Sequence, residues 1–182
     1  FIFASLAALL AFGASAAELK GVMMPDKVEV SGKPLVLNGQ GMRLATIFKV
    51  NVYVAGLYLP APNHDAAAIV ASNDLKMAEM EFVRDVGSKD IHEIWTESFH
   101  KNCGSSCAAL ESKFSTFLSW LDGMKKGDRQ RYTFFPDHME YAFNGQPKGK
   151  IDGSEFGKVI LSVWLGPNPP NKELKQGLLG EK

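Results

Sequence analysis

Thr46-Ile47-Phe48-Lys49-Val50-Asn51-Val52-Tyr53-Val54-Ala55-Gly56-Leu57-Tyr58-Leu59 is the longest uninterrupted β pattern in the chain. Side chains alternate across a strand, so Phe48, Val50, Val52 and Val54 share one face, while Lys49, Asn51, Tyr53, Ala55, Leu57 and Leu59 share the other. The first face is apolar throughout and the second becomes apolar after Tyr53. A strand that is apolar on both faces is covered on both, so this one is predicted to be central in its sheet. Pro60-Ala61-Pro62 closes it.

Upstream, Gly32-Lys33-Pro34 turns the chain into Leu35-Val36-Leu37, and Asn38-Gly39-Gln40-Gly41 reads as a turn before the long strand. Val22 to Val30, with Pro25 and the alternation Val28-Glu29-Val30, reads as an edge strand. Downstream, Asn63 to Ser72 reads as a short helix with Asn63 as N-cap. Lys76 to Arg84 alternates as a half-exposed strand. Ser88 caps a helix whose stripe is Ile91, Ile94, Trp95 and Phe99. Leu110, Phe114, Phe117, Leu118 and Leu121 carry a second helix, ended by Gly123.

Arg129 to Phe135 and Met139 to Phe143 are strands, and Asn144-Gly145 turns the second into Gly149-Lys150-Ile151. Ser154 caps a helix striped by Phe156, Ile160, Val163 and Trp164, stopped at Gly166-Pro167. Leu174 to Leu179 forms a short last helix. Hairpins at both ends with helices grouped between them define an α+β class: an open-faced antiparallel sheet packed against a layer of helices. The helical stripes are most economically core-facing.

With 182 residues, 46% apolar and 22% charged, the chain suits one globular domain with a real core. Lys plus Arg number 20 and Asp plus Glu 20. That balance, with no basic block longer than Lys125-Lys126, argues against nucleic-acid binding and against a polybasic membrane patch.

Phe1 to Ala17 carries no charge and runs from an apolar stretch into Gly13-Ala14-Ser15-Ala16-Ala17. That is the h-region and A-x-A cleavage pattern of a secretory signal peptide, too short for a spanning helix. Residues 1–17 are therefore read as a signal peptide without its basic start and 18–182 as the domain, with a periplasmic or secreted location and no stable membrane insertion after cleavage.

Cys103 and Cys107 are the only cysteines. In an oxidising compartment they are expected to form one structural disulfide, with Gly104 supplying backbone freedom. Redox proteins normally use C-x-x-C, and two thiols alone do not make a zinc site. His64, His92, His100 and His138 form no metal-ligand spacing. No metal and no cofactor is expected, and the sequence carries no signature of an oligomeric state.

Leu35 to Arg43, followed by Phe48-Lys49-Val50 and Val54-Ala55-Gly56-Leu57-Tyr58-Leu59, resembles the start of the chalcone isomerase fold. The similarity continues through Ser88-Lys89-Asp90-Ile91 and Met124-Lys125-Lys126-Gly127-Asp128. It ends in Val163-Trp164-Leu165-Gly166, Pro169-Pro170 and Leu174-Lys175 to Gly180, pieces that look like a bacterial, secreted, chalcone isomerase-like branch.

The resemblance implies a cleft and a set of candidate residues. Plant chalcone isomerases close a flavanone ring by attack of a phenolate on an enone, using an Arg, a Thr and a Tyr that hold a water, a Lys, and an Asn that contacts a substrate hydroxyl. Arg43 matches the Arg, and Tyr53 falls at the Thr position. Gly87 falls at the Tyr position, Ile94 at the Asn position, and no residue is assigned to the Lys. Without donors at 87 and 94, efficient chalcone cyclisation is not expected.

The leading expectation is binding of a small amphipathic, apolar or aromatic anionic ligand, fatty-acid-like, with Arg43 and Tyr53 at the site. The first alternative is an intramolecular lyase or isomerase that uses Arg43 and Tyr53 catalytically. The second is a filled cavity with Arg43 paired to an internal acid.

Overall fold

The computed structural model describes residues 16–181. Apart from Ala16 and Ala17, the signal peptide expected over residues 1–17 lies outside the described residues. The element order is β1 (Ala16–Leu19), β2 (Val22–Pro25), β3 (Lys27–Val30), β4 (Lys33–Ala45), β5 (Val50–Leu59), α1 (Ala66–Ala71), β6 (Lys76–Phe82), α2 (Ser88–Asn102) and α3 (Cys107–Leu118). There follow β7 (Arg129–Phe134), β8 (His138–Phe143), β9 (Gln146–Asp152), α4 (Ser154–Leu165) and α5 (Lys172–Leu178).

Strands β3 to β9 form one antiparallel sheet in chain order, and β1 and β2 form a separate hairpin. The architecture is α+β, with β5 flanked by β4 and β6 as its apolar pattern requires. The main core lies between the inner sheet face and the helices, where Leu57, Tyr132 and Phe134 meet Phe99, Phe114, Phe117, Ile160 and Trp164. The β1–β2 hairpin covers part of the outer face by packing Val22 and Met24 against Met42 and Val54.

The predicted turn at Asn38 to Gly41 is instead the interior of β4. The register slips between Leu37 and Gly39, which leaves Asn38 as a bulge. Its side chain donates to Leu178 O (2.9 Å) and accepts from Asn63 N (2.7 Å), pinning α5 and the loop before α1. The glycines are there because α5 lies directly on the strand. A Cβ at Gly39 would overlap Gly177 O, and one at Gly41 would stand 2.5 Å from Leu174 O.

The long strand also begins later than its sequence suggests: residues 46–49 are a turn and β5 starts at Val50. Val22 to Val30 is divided into β2 and β3 around Asp26, so five strands precede the first helix rather than three. Strand β6 is not half-exposed; all its residues except Glu81 are buried. Met77 is covered by Leu35 and Tyr58, and Glu79 on the outer face is enclosed by Arg129 and Arg131.

The helices fall where the apolar periods place them, with small changes at their ends. Asp65, not Asn63, caps α1, accepting from Ala67 N (2.9 Å) and Ala68 N (3.1 Å). Asn63 instead accepts from Asp65 N. Gly87 precedes α2 and Gly153 precedes α4, so Ser88 and Ser154 are first helical residues rather than caps. A disulfide joins Cys103 to Cys107 at the α2–α3 corner, with Gly104 in the left-handed region at φ 55°.

Candidate functional site

Arg43 and Tyr53 are directly opposed across the β4–β5 ladder. Just beyond that pair the register slips again: Leu44 pairs with Asn51, and Val52 is left over as a bulge. The slip turns both Val52 and Tyr53 toward the helices, where strict alternation would have put Val52 on the opposite face. Bulges commonly re-aim side chains in this way beside functional sites.

A cleft opens there between the sheet and α2 and α4. Arg43 and Ala45 come from β4, Val52 and Tyr53 from β5, and Met80 and Phe82 from β6. Ile91, Ile94, Trp95 and Ser98 of α2 form the facing wall, with Trp164 of α4 and Gln130 of β7 deeper in. The walls are mainly hydrocarbon and aromatic, and the volume is about 60 Å³. That holds a few waters and is well below the roughly 300–1,000 Å³ of a small-molecule site. A ligand of acyl size therefore requires side chains at the mouth to move.

The segment before α5 positions the mouth. Asn171 accepts from Leu44 N (3.0 Å) and donates to Met42 O (3.1 Å), which ties the chain to the edge of β4. Arg43 Nη1 then donates to Pro170 O (3.2 Å) and to Leu44 O. Among the described residues no carboxylate pairs with Arg43. Carbonyls satisfy its protons without neutralising its charge, so the guanidinium remains a half-buried cation facing an apolar space.

The Tyr53 hydroxyl accepts from Trp164 Nε1 at 3.1 Å, and its ring is tilted against Phe82 with centroids 5.4 Å apart. Burial raises its pKa above the ordinary phenol value, although the Trp164 bond and the Arg43 charge pull the other way. The phenol therefore keeps its proton at neutral pH and has an O–H to offer. Below it, Tyr132 donates to Gln130 (2.8 Å), and Gln130 in turn donates to Met124 Sδ (3.3 Å).

The structure thus brings Arg43 and Tyr53 together in one cleft. Ile94 is in the same wall, whereas Gly87 sits on the outer lip with Asp85 and Asp90. Nothing in the sequence marks Trp95, Ser98, Gln130 and Trp164 as site residues. The period that buries a stripe is the same whether the stripe meets other side chains or a cavity. Cys103 and Cys107 are not among the residues that line the cleft. Among the described residues no group of three or more His, Cys, Asp or Glu is placed to hold a metal ion, and no helix is long and apolar enough to cross a membrane.

A curled antiparallel sheet with a small apolar cleft beneath its helices, and a cation at the mouth, defines an α+β architecture. The family model described as chalcone isomerase-like matches residues 16–180, and the chain belongs to that family. A crystal structure of an Arabidopsis thaliana fatty-acid binding protein shares the fold with a TM-score of 0.73. That match has 15% identity and covers 91% of this chain and 96% of the other. A search of curated proteins found no match.

Proposed function

We propose that this protein binds a small amphipathic anion, fatty-acid-like, with its carboxylate at Arg43 and Tyr53 and its apolar part in the cleft. The observation that carries this reading is the Arg43 guanidinium, bonded among the described residues only to the carbonyls of Leu44 and Pro170, at the mouth of an apolar space. A carboxylate supplies the charge neutralisation those carbonyls do not. The protonated Tyr53 hydroxyl adds a neutral donor. The fold shared with a fatty-acid binding protein supports the same reading.

The polar side chains in the cleft are few, and Ile94 brings no donor to it. No specific observation favours the isomerase alternative over binding. We also propose export to the periplasm or beyond, supported by the uncharged segment Phe1 to Phe12, the Ala14-Ser15-Ala16 site and the Cys103–Cys107 disulfide.

The test is titration of the protein with a long-chain fatty acid, followed by intrinsic fluorescence, because Trp95 and Trp164 both line the cleft. Saturable change with one ligand per chain is expected. Absence of any change, together with a melting temperature that does not respond to the fatty acid, overturns the reading.

A further inference from the structure

Among the described residues, four large apolar side chains stay well exposed; one of them lines the cleft, and two follow a cleft residue along the chain. These three are Ile47 at 89%, Phe48 at 82% and Ile94 at 41%. Ile94 lines the Arg43 cleft itself, and Ile47 and Phe48 lie two and three residues beyond Ala45, another cleft residue. They occupy the tip of the β4–β5 hairpin. The turn that carries them is held in place: Lys49 N donates to Thr46 O (3.2 Å), Phe48 N to Thr46 Oγ1 (3.3 Å), and Lys49 Nζ pairs with Glu173 of α5 (3.1 Å). Thr46 and Lys49 both take left-handed backbone, at φ 61° and 51°, a region disfavoured for residues bearing a side chain. The chain thus adopts an unfavourable turn that leaves two large apolar side chains in water.

We propose that this tip docks on a neutral or zwitterionic lipid surface and that Ile47 and Phe48 enter its interfacial layer, which sets the cleft mouth against the head groups. The proposal rests on the reading of the cleft as an amphipath site, since it gives such a ligand a route between lipid and cleft that avoids open water. The distances agree. A strand advances about 3.3 Å per residue, which puts Arg43 roughly 10–15 Å behind the tip. Interfacial elements sink about 5–10 Å, so the guanidinium would stand near head-group level.

The charge around the mouth selects the kind of surface. Its outer lip carries Asp85, Asp90, Glu93 and Glu97 with Arg84, and Lys125, Lys89 and Lys101 pair with Asp85, Glu93 and Glu97. A lip whose acids are matched by lysines and an arginine has no net charge to draw it to anionic lipid, unlike a polybasic patch. A second copy of the chain is the poorer occupant, because two side chains bury far less than the roughly 1,200 Å² of a stable interface.

The experiment is sedimentation of the protein with phosphatidylcholine vesicles, for the wild type and for the double variant Ile47→Ser, Phe48→Ser. The affinity of each for a long-chain fatty acid is measured separately in vesicle-free solution. The wild type is expected to partition to vesicles, with no gain when phosphatidylserine is added. The double variant should partition about tenfold or more weakly, from the lost apolar burial, with unchanged melting temperature and unchanged solution affinity. Equal partition of the two proteins, or none by the wild type, overturns the docking proposal. So does self-association that the serines abolish without any vesicle binding. Vesicle partition that depends on Ile47 and Phe48, in a protein with no affinity for the fatty acid in solution, upholds docking and overturns the cleft reading instead.

Discussion

Arg43 and Tyr53 are paired Cα to Cα across β4 and β5, one residue before the bulge at Val52. That register puts a permanent cation and a protonated phenol side by side on the same sheet face, under α2 and α4. Among the described residues, neither side chain is held by an acid. Arg43 leans on two carbonyls and Tyr53 on the Trp164 indole N–H. The pair therefore combines polar groups with an apolar surround, and its variants separate a binding role from a structural one.

Arg43→Ala removes a cation but strands no carboxylate. The ligand-free protein should keep its stability to within about 1 kcal/mol, or gain slightly from losing a half-buried charge. Affinity for a long-chain fatty acid should fall by about 1.5–3 kcal/mol, the range for a charge-assisted hydrogen bond. Melting temperatures with and without the fatty acid check both. A loss of several kcal/mol in the ligand-free protein, with no ligand-dependent shift in either form, ends the carboxylate-anchor account.

Tyr53→Phe keeps the ring against Phe82 and removes the oxygen that accepts from Trp164. The stranded indole N–H should cost about 1–2 kcal/mol of stability in denaturant titration. If the hydroxyl also donates to a bound carboxylate, affinity falls beside stability. Unchanged affinity with reduced stability assigns the hydroxyl to structure alone.

The elements of this fold were legible where one local period decides them: the helices around Phe99, Phe114 and Trp164, and the central strand through Leu57 and Leu59. What was not legible depends on distant partners. Asn38 to Gly41 has turn chemistry, yet Gly39 and Gly41 stand in a strand because α5, more than 130 residues later, presses its backbone against them. The bulge at Val52 is equally silent, since it is a relation between strands and not a pattern within one. Family resemblance alone marks Arg43 and Tyr53 as candidates, and only the register explains why they meet. The aromatic floor of the cleft, Trp95 and Trp164, could not be told from core by spacing.

Glu79 is 6% exposed on the outer sheet face and accepts from Arg129 Nη1 (3.1 Å) and Arg131 Nε (2.7 Å). Both arginines are partly solvated, which tempers the value of the pairs. Glu79→Gln should nevertheless destabilise by about 1–3 kcal/mol, because it leaves Arg131 facing a neutral amide and Arg129 with Glu81 alone. Glu81→Gln, at a more exposed carboxylate that pairs with Arg129 only, should cost less. Urea midpoints of the two variants give the comparison, and an equal or reversed order contradicts it.

Export predicts a processed N-terminus. Protein made from the complete gene should begin at Ala17 or Glu18 by N-terminal sequencing, and thiol titration of freshly isolated material should find no free cysteine. A mature chain that retains Phe1, or that carries two free thiols, contradicts export to an oxidising compartment.

Lys76 predicts a pH window in stability. Its side chain is only 4% exposed, and Nζ donates to Ser72 O (2.8 Å) and Asp74 O (2.9 Å). Burial pulls its pKa from 10.5 down to about 8, with Asp74 opposing the shift and Lys158 reinforcing it. Between those two values the unfolded chain holds a proton that the folded chain has released. Stability must therefore rise with pH, beginning near pH 8, by up to about 3 kcal/mol if the window were traversed in full. The buried tyrosines set the upper limit. Burial raises the pKa of Tyr53, Tyr58, Tyr132 and Tyr141, so above about pH 10 the unfolded chain loses protons that the folded chain keeps, and stability falls again. A maximum near pH 9–10 follows. Lys76→Met removes the titrating group while leaving the tyrosines, so its stability should be flat from pH 8 to 9.5 and then decline. The comparison is of slopes, because the variant also deprives the Ser72 and Asp74 carbonyls of their donor and shifts the whole curve. Urea unfolding of both proteins at half-unit pH steps reads this directly, and an identical rise in Lys76→Met would show that another group titrates.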